Sequence, residues 1–391
     1  MELTDEEICM GDGDNEGNPY HAVAPPIYQT SLFTKPTFEA FAEDQVHENE
    51  RHVYSRGTNP TVEVLEQKLA ALERGEACKC FGSGMGAISS TWMTILRPGD
   101  HVLFLNHTYG PALQLIEHLS FFDIAYTVWT KDSERSMEDC IQRNTALIYM
   151  ENPGTMTMQI IDIEQAVAMA RDHSITTMMD NTWSTPLFQK PLTMGVDIVV
   201  HSLTKYIGGH SDVLGGAVIA SRAFIKKLFF HGYQLFGSVL SAMEASMVIR
   251  GLRTLPLRMR NHESNAAEII SFLQTRPEIK AIHHPSVNEE ASVLVDQQFY
   301  GLSGLLSFEL KDGGFESVAR FINELRLFRI GTSWGGFESL VTSPVKPGNE
   351  EALLRQGFDH GLIRLSVGLE GAPQQIQDLE GAFERTRHYV Q

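Results

Sequence analysis

Three short segments hold side chains that can do chemistry together. His201-Ser202-Leu203-Thr204-Lys205-Tyr206, followed by Gly208-Gly209-His210, sets a lysine just past an apolar run, between two hydroxyls and a pair of glycines. A lysine desolvated there has a lowered pKa and suits Schiff-base chemistry; the commoner occupant of a strand end is a solvated one. Met179-Asp180-Asn181-Thr182-Trp183 closes another apolar run with a carboxylate. In apolar surroundings that carboxylate needs a cation, such as a protonated ring nitrogen. An Asp that caps the next turn is the plainer alternative. Gly82-Ser83-Gly84-Met85-Gly86-Ala87 lets backbone N–H groups approach a ligand at the start of a helix, where anions are favoured. The spacing departs from G-x-G-x-x-G and no strong strand pattern immediately precedes it, so a tight turn competes with a phosphate cradle.

Two single residues join them. Tyr109, just beyond the apolar run 101–106, can stack on a planar ligand or fill a turn. Arg364, inside the apolar run 362–367, needs an anionic partner, and a substrate carboxylate fits its fork as well as an internal salt bridge would. His201 and His210 read as structural rather than as ligands.

The elements that must position these residues follow from periodicity. Asn59 and Pro60 open a helix to about residue 74, with Asn59 as N-cap, and Gly84 opens a second. Apolar runs at 101–106, 124–130, 146–151, 176–180, 198–202 and 217–220 alternate with helical segments such as 162–173. This pattern predicts an α/β large domain over 51–240, its mostly parallel sheet covered by helices, with ligands at the carboxyl ends of the strands. Helices at 241–255 and 263–275, strands at 305–310 and 362–367 and a closing helix at 373–388 predict a smaller α+β C-terminal domain over 241–391. Residues 1–50, rich in Gly, Pro and acidic side chains, read as an extended N-terminal arm suited to clasping a neighbouring subunit.

A formal charge of −18 and the lack of a basic stripe argue against nucleic acid as a partner. The four cysteines form no C-x-x-C pair, so no metal site is expected, and they read as reduced thiols of a cytoplasmic protein. The acidic N-terminus does not look like a signal peptide, and no stretch is long enough to span a membrane.

Taken in order, these segments resemble the Cys/Met-metabolism family of pyridoxal-phosphate enzymes. The likeness runs from about residue 18 to the end. It rests on Tyr54-Ser55-Arg56 with Asn59-Pro60-Thr61, Ser83-Gly84-Met85, Tyr109-Gly110, Glu151-Asn152-Pro153-Gly154, Asp180-Asn181-Thr182 and Ser202-Leu203-Thr204-Lys205-Tyr206. It continues through Gly208-Gly209-His210-Ser211-Asp212, Ser333-Trp334-Gly335-Gly336-Phe337-Glu338-Ser339-Leu340 and Arg364-Leu365-Ser366-Val367-Gly368. The resemblance implies a fold type I enzyme with pyridoxal 5'-phosphate held by Lys205. It implies Asp180 at the ring nitrogen, Tyr109 stacked on the ring, and the amides of Gly84 and Met85 with Ser83, Ser202 and Thr204 around the phosphate. It further implies that Tyr54 and Arg56 serve the cofactor of a neighbouring subunit in a homotetramer built as a dimer of dimers. Arg364 would take the substrate α-carboxylate, helped by Ser333 and Asn152.

Within the family, the segment around Trp334 resembles bacterial cystathionine β-lyases, as do Gly232-Tyr233-Gln234-Leu235-Phe236-Gly237 and Asn152-Pro153-Gly154-Thr155-Met156. Pro111 stands where methionine γ-lyases of the family have a cysteine. Gly110, where the enteric β-lyase has an acidic residue, keeps cystathionine γ-cleavage and cysteine or homocysteine desulfhydration open, and methionine γ-cleavage stays an alternative within the family although Pro111 counts against it. The resemblance therefore implies β-elimination on a sulfur-containing amino acid, with Lys205 removing the Cα proton and Lys205 or Tyr109 protonating the leaving thiolate. A nicotinamide-dependent dehydrogenase would leave Lys205 and Arg364 unexplained, and a catalytically dead binding protein would not need Lys205 with Asp180.

Overall fold

The computed structural model describes residues 3–11, 18 and 20–387 and divides the chain into two compact units. The first runs to Glu151 and resumes over Asp162–Pro256. Its seven strands are β1 (Ala77–Phe81), β2 (His101–Leu105), β3 (Ala125–Trp129), β4 (Thr145–Glu151), β5 (Thr176–Asp180), β6 (Ile198–Ser202) and β7 (Gly216–Ala220), in the order β1-β7-β6-β5-β4-β2-β3. Strands β6, β5, β4, β2 and β3 are mutually parallel. β7 runs antiparallel between β6 and β1. The carboxyl ends of the parallel strands lie along one edge, where βα turns can gather polar groups.

The helices of this unit include α1 (Asp5–Met10), α2 (Phe38–Val46), α3 (Pro60–Glu73), α4 (Gly84–Ile95), α5 (Gly110–Leu119) and α6 (Ile163–Asp172), and further ones follow, among them Ala242–Leu252. α3 starts as its sequence dictates: Asn59 accepts the Thr61 N–H at 3.0 Å and Pro60 fills the first turn. It buries Leu65, Leu69 and Leu72 completely and ends at Arg74 in the left-handed region. Glu73, its last residue, bonds Asn181 and His201, so α3 covers the sheet face those two side chains occupy. The alternate residues Met178 and Val200 belong instead to the core under α4, with Ile88 and Trp92. There Trp92 meets Phe104 and Tyr149 edge-on, at 5.7 and 5.4 Å between centroids. Each such pair adds roughly 0.5–1.5 kcal/mol to its burial.

Two expectations change here. The N-terminal segment, read as extended, contains two helices. Thr4 and Glu7 form a capping box on α1, which buries Ile8 and Cys9 and is tied down by Lys68 donating to the Ile8 carbonyl at 2.7 Å. Residues 12–17 and 19 of that segment lie outside the described residues. A strand, β1, does precede Gly82. Its lysine hid it: Lys79 is buried in an ion pair with Glu66 at 3.0 Å, and its ammonium lies over the rings of Phe229 and Tyr233.

The second unit comprises Asn152–Ile161 and Leu257–Gln391. Strands β8 (Ile279–His283), β9 (Leu305–Leu310), β10 (Arg329–Ile330), β11 (Leu340–Thr342) and β12 (Leu362–Ser366) form a five-stranded sheet in the order β10-β11-β12-β9-β8. Its core joins Phe308 and Phe321 with Phe383 of the closing helix Ala372–Arg387. Residue 388, expected in that helix, lies outside the described residues. Among the described residues no helix is long and apolar enough to cross a membrane.

Candidate active site

Asp180 ends β5 half-buried, and two donors from Thr182 hold its Oδ1: the backbone N–H at 3.0 Å and the hydroxyl in a shorter contact. The same hydroxyl accepts the Ser202 N–H at 2.8 Å. Thr182 thus ties the end of β5 to the end of β6. Beyond Ser202 the chain makes a tight turn in which the Lys205 N–H returns to the Ser202 carbonyl at 3.2 Å and the Gly209 N–H bonds the Lys205 carbonyl at 2.8 Å. The Thr204 hydroxyl accepts the Gly215 N–H at 3.1 Å. These bonds fix the backbone of half-buried Lys205 on both sides.

The first turn of α4 lies against this turn. Ser83 caps it, accepting the Gly86 N–H at 3.0 Å, and the Ala87 N–H returns to the Ser83 carbonyl. The amides of Gly84 and Met85 are the helix-end donors left over. A Cβ on Gly84 would sit 3.0 Å from that of Ser202, and one on Gly216 would sit 2.2 Å from the Ser83 carbonyl oxygen. Glycine at both positions lets the helix end close on β6 and β7. Two bare amides with the Ser202 hydroxyl beside them suit an anion such as phosphate.

Glu151 ends β4 as the register partner of Asp180 and accepts the Tyr109 N–H at 2.6 Å, at the start of α5. Tyr109 itself is exposed. Burial raises the Asp180 pKa above the usual carboxylate range, while the Thr182 donors, His201 and the Tyr149 hydroxyl oppose that rise. Burial, then the Asp180 charge, drives the Glu151 carboxyl up much further. Among the described residues no ion pair reaches Asp180. A half-buried carboxylate with two donors on one oxygen and no cation fits a cationic ring nitrogen, and Tyr109 supplies an exposed aromatic face nearby in the fold. On the opposite sheet face, the fully buried Glu73 lies 2.6 Å from His201 Nε2 and accepts Asn181 Nδ2 at 2.8 Å, so His201 has the structural role expected of it.

The structure brings Ser83, Gly84, Met85, Ser202, Thr204, Lys205 and Asp180 together, with Tyr109 tied in through Glu151. Thr182 and Glu151 were not singled out. The i, i+2 hydroxyl in Asp180-Asn181-Thr182 was the available signal for the first, since such residues fold back on a carboxylate. Tyr54 and Arg56 are exposed, the guanidinium 5.6 Å from the Tyr54 ring centre, and neither hydrogen-bonds to the Asp180–Lys205 cluster. In the second unit, Arg364 donates to the Thr332 carbonyl at 3.1 Å and approaches Met156 Sδ at 3.8 Å. Ser333 and Trp334 follow Thr332, both half-buried. Asn152 is buried, and both ends of its amide engage the Ile161 backbone.

Known proteins resemble this chain in sequence and fold. Residues 7–384 match the family described as "Cys/Met metabolism PLP-dependent enzyme". The chain is 39% identical to an L-methionine gamma-lyase of Pseudomonas putida over 93% of both chains. It is 34% identical to the cystathionine beta-lyase MetC of Staphylococcus haemolyticus, over 98% of this chain and 95% of that one. A Campylobacter jejuni structure solved with N'-pyridoxyl-lysine-5'-monophosphate superposes with a TM-score of 0.89 at 30% identity, covering 98% of this chain and all of that one.

Proposed function

The chain belongs to the Cys/Met-metabolism family of pyridoxal-phosphate-dependent enzymes, and from that premise we propose that it cleaves the Cβ–S bond of cystathionine, releasing homocysteine, pyruvate and ammonia. Bound pyridoxal phosphate supplies an electron sink for the substrate's Cα. The chain's own groups do the rest. Lys205 holds the cofactor, and its Nζ then takes the Cα proton. The leaving sulfur receives a proton from Lys205 or Tyr109. Asp180 keeps the ring nitrogen charged, and the Gly84 and Met85 amides with Ser83, Ser202 and Thr204 hold the phosphate. Tyr54 and Arg56, exposed just ahead of α3, serve the phosphate of a second copy. In the second unit Arg364 takes the substrate carboxylate, with Ser333 and Asn152 assisting.

One observation carries the choice of bond. Trp334 stands half-buried two residues beyond Thr332, whose carbonyl the Arg364 guanidinium holds at 3.1 Å. A bulky ring so close in the chain to the partner of the carboxylate anchor is the feature that would restrain how the substrate's side chain can lie. β-Elimination needs one carbanion and one correctly aligned leaving group, whereas γ-elimination needs a second proton removal and room for Lys205 to shuttle. Such alignment is worth several kcal/mol. Pro111 in place of the methionine γ-lyase cysteine supports the same reading. The L-methionine gamma-lyase of Pseudomonas putida and a cystathionine gamma-lyase of Bacillus subtilis favour a second reading, γ-elimination on methionine or cystathionine. Products from cystathionine decide between them: pyruvate for the β-reaction, 2-oxobutyrate for the γ-reaction. Dominant 2-oxobutyrate overturns the proposal.

A further inference from the structure

We propose that Glu151 is a positioning residue of this site, whose carboxyl group carries the Tyr109 end of α5 while lying beside Asp180 as an uncharged partner. The inference rests on the assignment of Asp180 and Tyr109 to the cofactor.

The geometry comes from register. β4 and β5 are parallel, and Glu151 pairs with Asp180 at their carboxyl ends. Paired residues on adjacent parallel strands stand roughly 4.8 Å apart and point to the same sheet face. Two desolvated carboxyl groups on neighbouring strand ends, facing the same way, cannot both ionise cheaply. The groups facing them decide which one holds the proton. Asp180 has the Thr182 N–H and hydroxyl on Oδ1, with His201 of β6, acting from the opposite sheet face, and the Tyr149 hydroxyl of β4 also favouring its anion. Glu151 has a single donor, the Tyr109 N–H at 2.6 Å, against burial and the Asp180 charge. Glu151 is 7% exposed and takes part in no ion pair among the described residues. The pair therefore carries its one negative charge on Asp180.

Tyr109 is positioned through this carboxyl. It has no side-chain cap on α5, and its own N–H is the group Glu151 receives. The Asn106 side chain donates to the Glu151 carbonyl at 3.1 Å, so both ends of the 106–109 turn are fastened to one residue of β4. Removing the carboxyl takes the Glu151 tie away from the Tyr109 end of that turn. An amide in its place keeps the acceptor and stays neutral.

The test titrates the full-length chain, stripped of cofactor, with pyridoxal phosphate across a pH series. Glu151→Gln should bind within about threefold of wild type with the same pH midpoint, and Glu151→Ala should bind roughly ten- to a hundredfold more weakly. Far-UV circular dichroism and the unfolding midpoint report whether each variant folds. If Glu151→Ala does not, the comparison of Glu151→Gln with wild type still decides. A Gln variant that loses affinity by tenfold or more, or whose binding midpoint moves along the pH axis, shows a charged Glu151 and overturns the inference. Tyr109→Ala and Asp180→Ala are titrated in parallel. Wild-type affinity in both would instead refute the cofactor assignment on which the inference rests.

Discussion

Replacing Thr182 with Val removes one hydroxyl with two duties and almost no volume. The hydroxyl donates to Asp180 Oδ1 and accepts the Ser202 N–H at 2.8 Å; the Thr182 backbone N–H, at 3.0 Å from the same carboxylate oxygen, survives the change. A hydrogen bond to a charged group contributes about 1.5–3 kcal/mol. That bond opposes the burial that raises Asp180, so losing it lets Asp180 keep its proton to higher pH. Only ionised Asp180 pairs with a cationic ring nitrogen, so the acid limb of cofactor binding moves up the pH axis. The Ser202 N–H, left without its acceptor, lowers the stability of the apoprotein by about 1–3 kcal/mol. Titration of the apoprotein with pyridoxal phosphate over a pH series reads the first effect, and thermal unfolding reads the second. Thr182→Ser keeps the hydroxyl and should restore the wild-type limb. An unmoved limb in Thr182→Val, or a Ser variant that behaves like Val, would refute the bridge between the two strand ends.

Lys205→Ala should abolish turnover and the visible absorbance of lysine-bound cofactor while far-UV circular dichroism stays native; activity with the absorbance retained would remove Lys205 from its role. Trp334→Leu should raise the share of 2-oxobutyrate over pyruvate from cystathionine, and an unchanged product ratio would acquit the ring. Burial, with the Glu66 carboxylate adding to it, pushes Glu63 up to about 7, so its stabilising effect is present in acid and is lost as pH rises through that value. The unfolding midpoint should fall between about pH 4.5 and about 7, and Glu63→Gln should flatten that slope. Because Tyr54 and Arg56 are assigned to a second copy's cofactor, sedimentation should show the active protein as a dimer or a dimer of dimers, and a fully active monomer would sink that assignment.

Much of this architecture was legible in the sequence because apolar runs and caps coincide with the elements they specify. Strands β5, β6 and β9 fall on the runs 176–180, 198–202 and 305–310, Asn59 caps the helix it was expected to cap, and the helical segments expected at 162–173 and 241–255 begin at Asp162 and Ser241 as N-caps. What escaped has physical causes. β1 carries a lysine neutralised by Glu66 from another element, which no local pattern reveals. β8 is only partly buried, and β10 and β11 have two and three residues, too short for a period to register. In the site, Lys205, Asp180 and the α4 glycines announce themselves by type and place. Thr182 and Glu151 do not, because their roles are relations across strands: a hydroxyl between β5 and β6, and a carboxyl whose neighbour is set by register.

The placing of β7 has a consequence for how the protein is made. β7 lies between β6 and β1, pairing Gly216 with Ser202 on one side and with Phe81 on the other, and all of β2 through β6 lies between β1 and β7 in the chain. During synthesis β1 emerges early but has no neighbour to pair with until β7 has left the ribosome, and contacts so distant in sequence form late. The first turn of α4 follows β1 directly and is seated against Gly216. Its bare amides therefore gain the β7 side of their seat when the last strand of the sheet arrives. Cofactor capture should then act as a checkpoint on completion: nascent chains released before residue 216 cannot retain pyridoxal phosphate, and chains that retain it have closed the sheet.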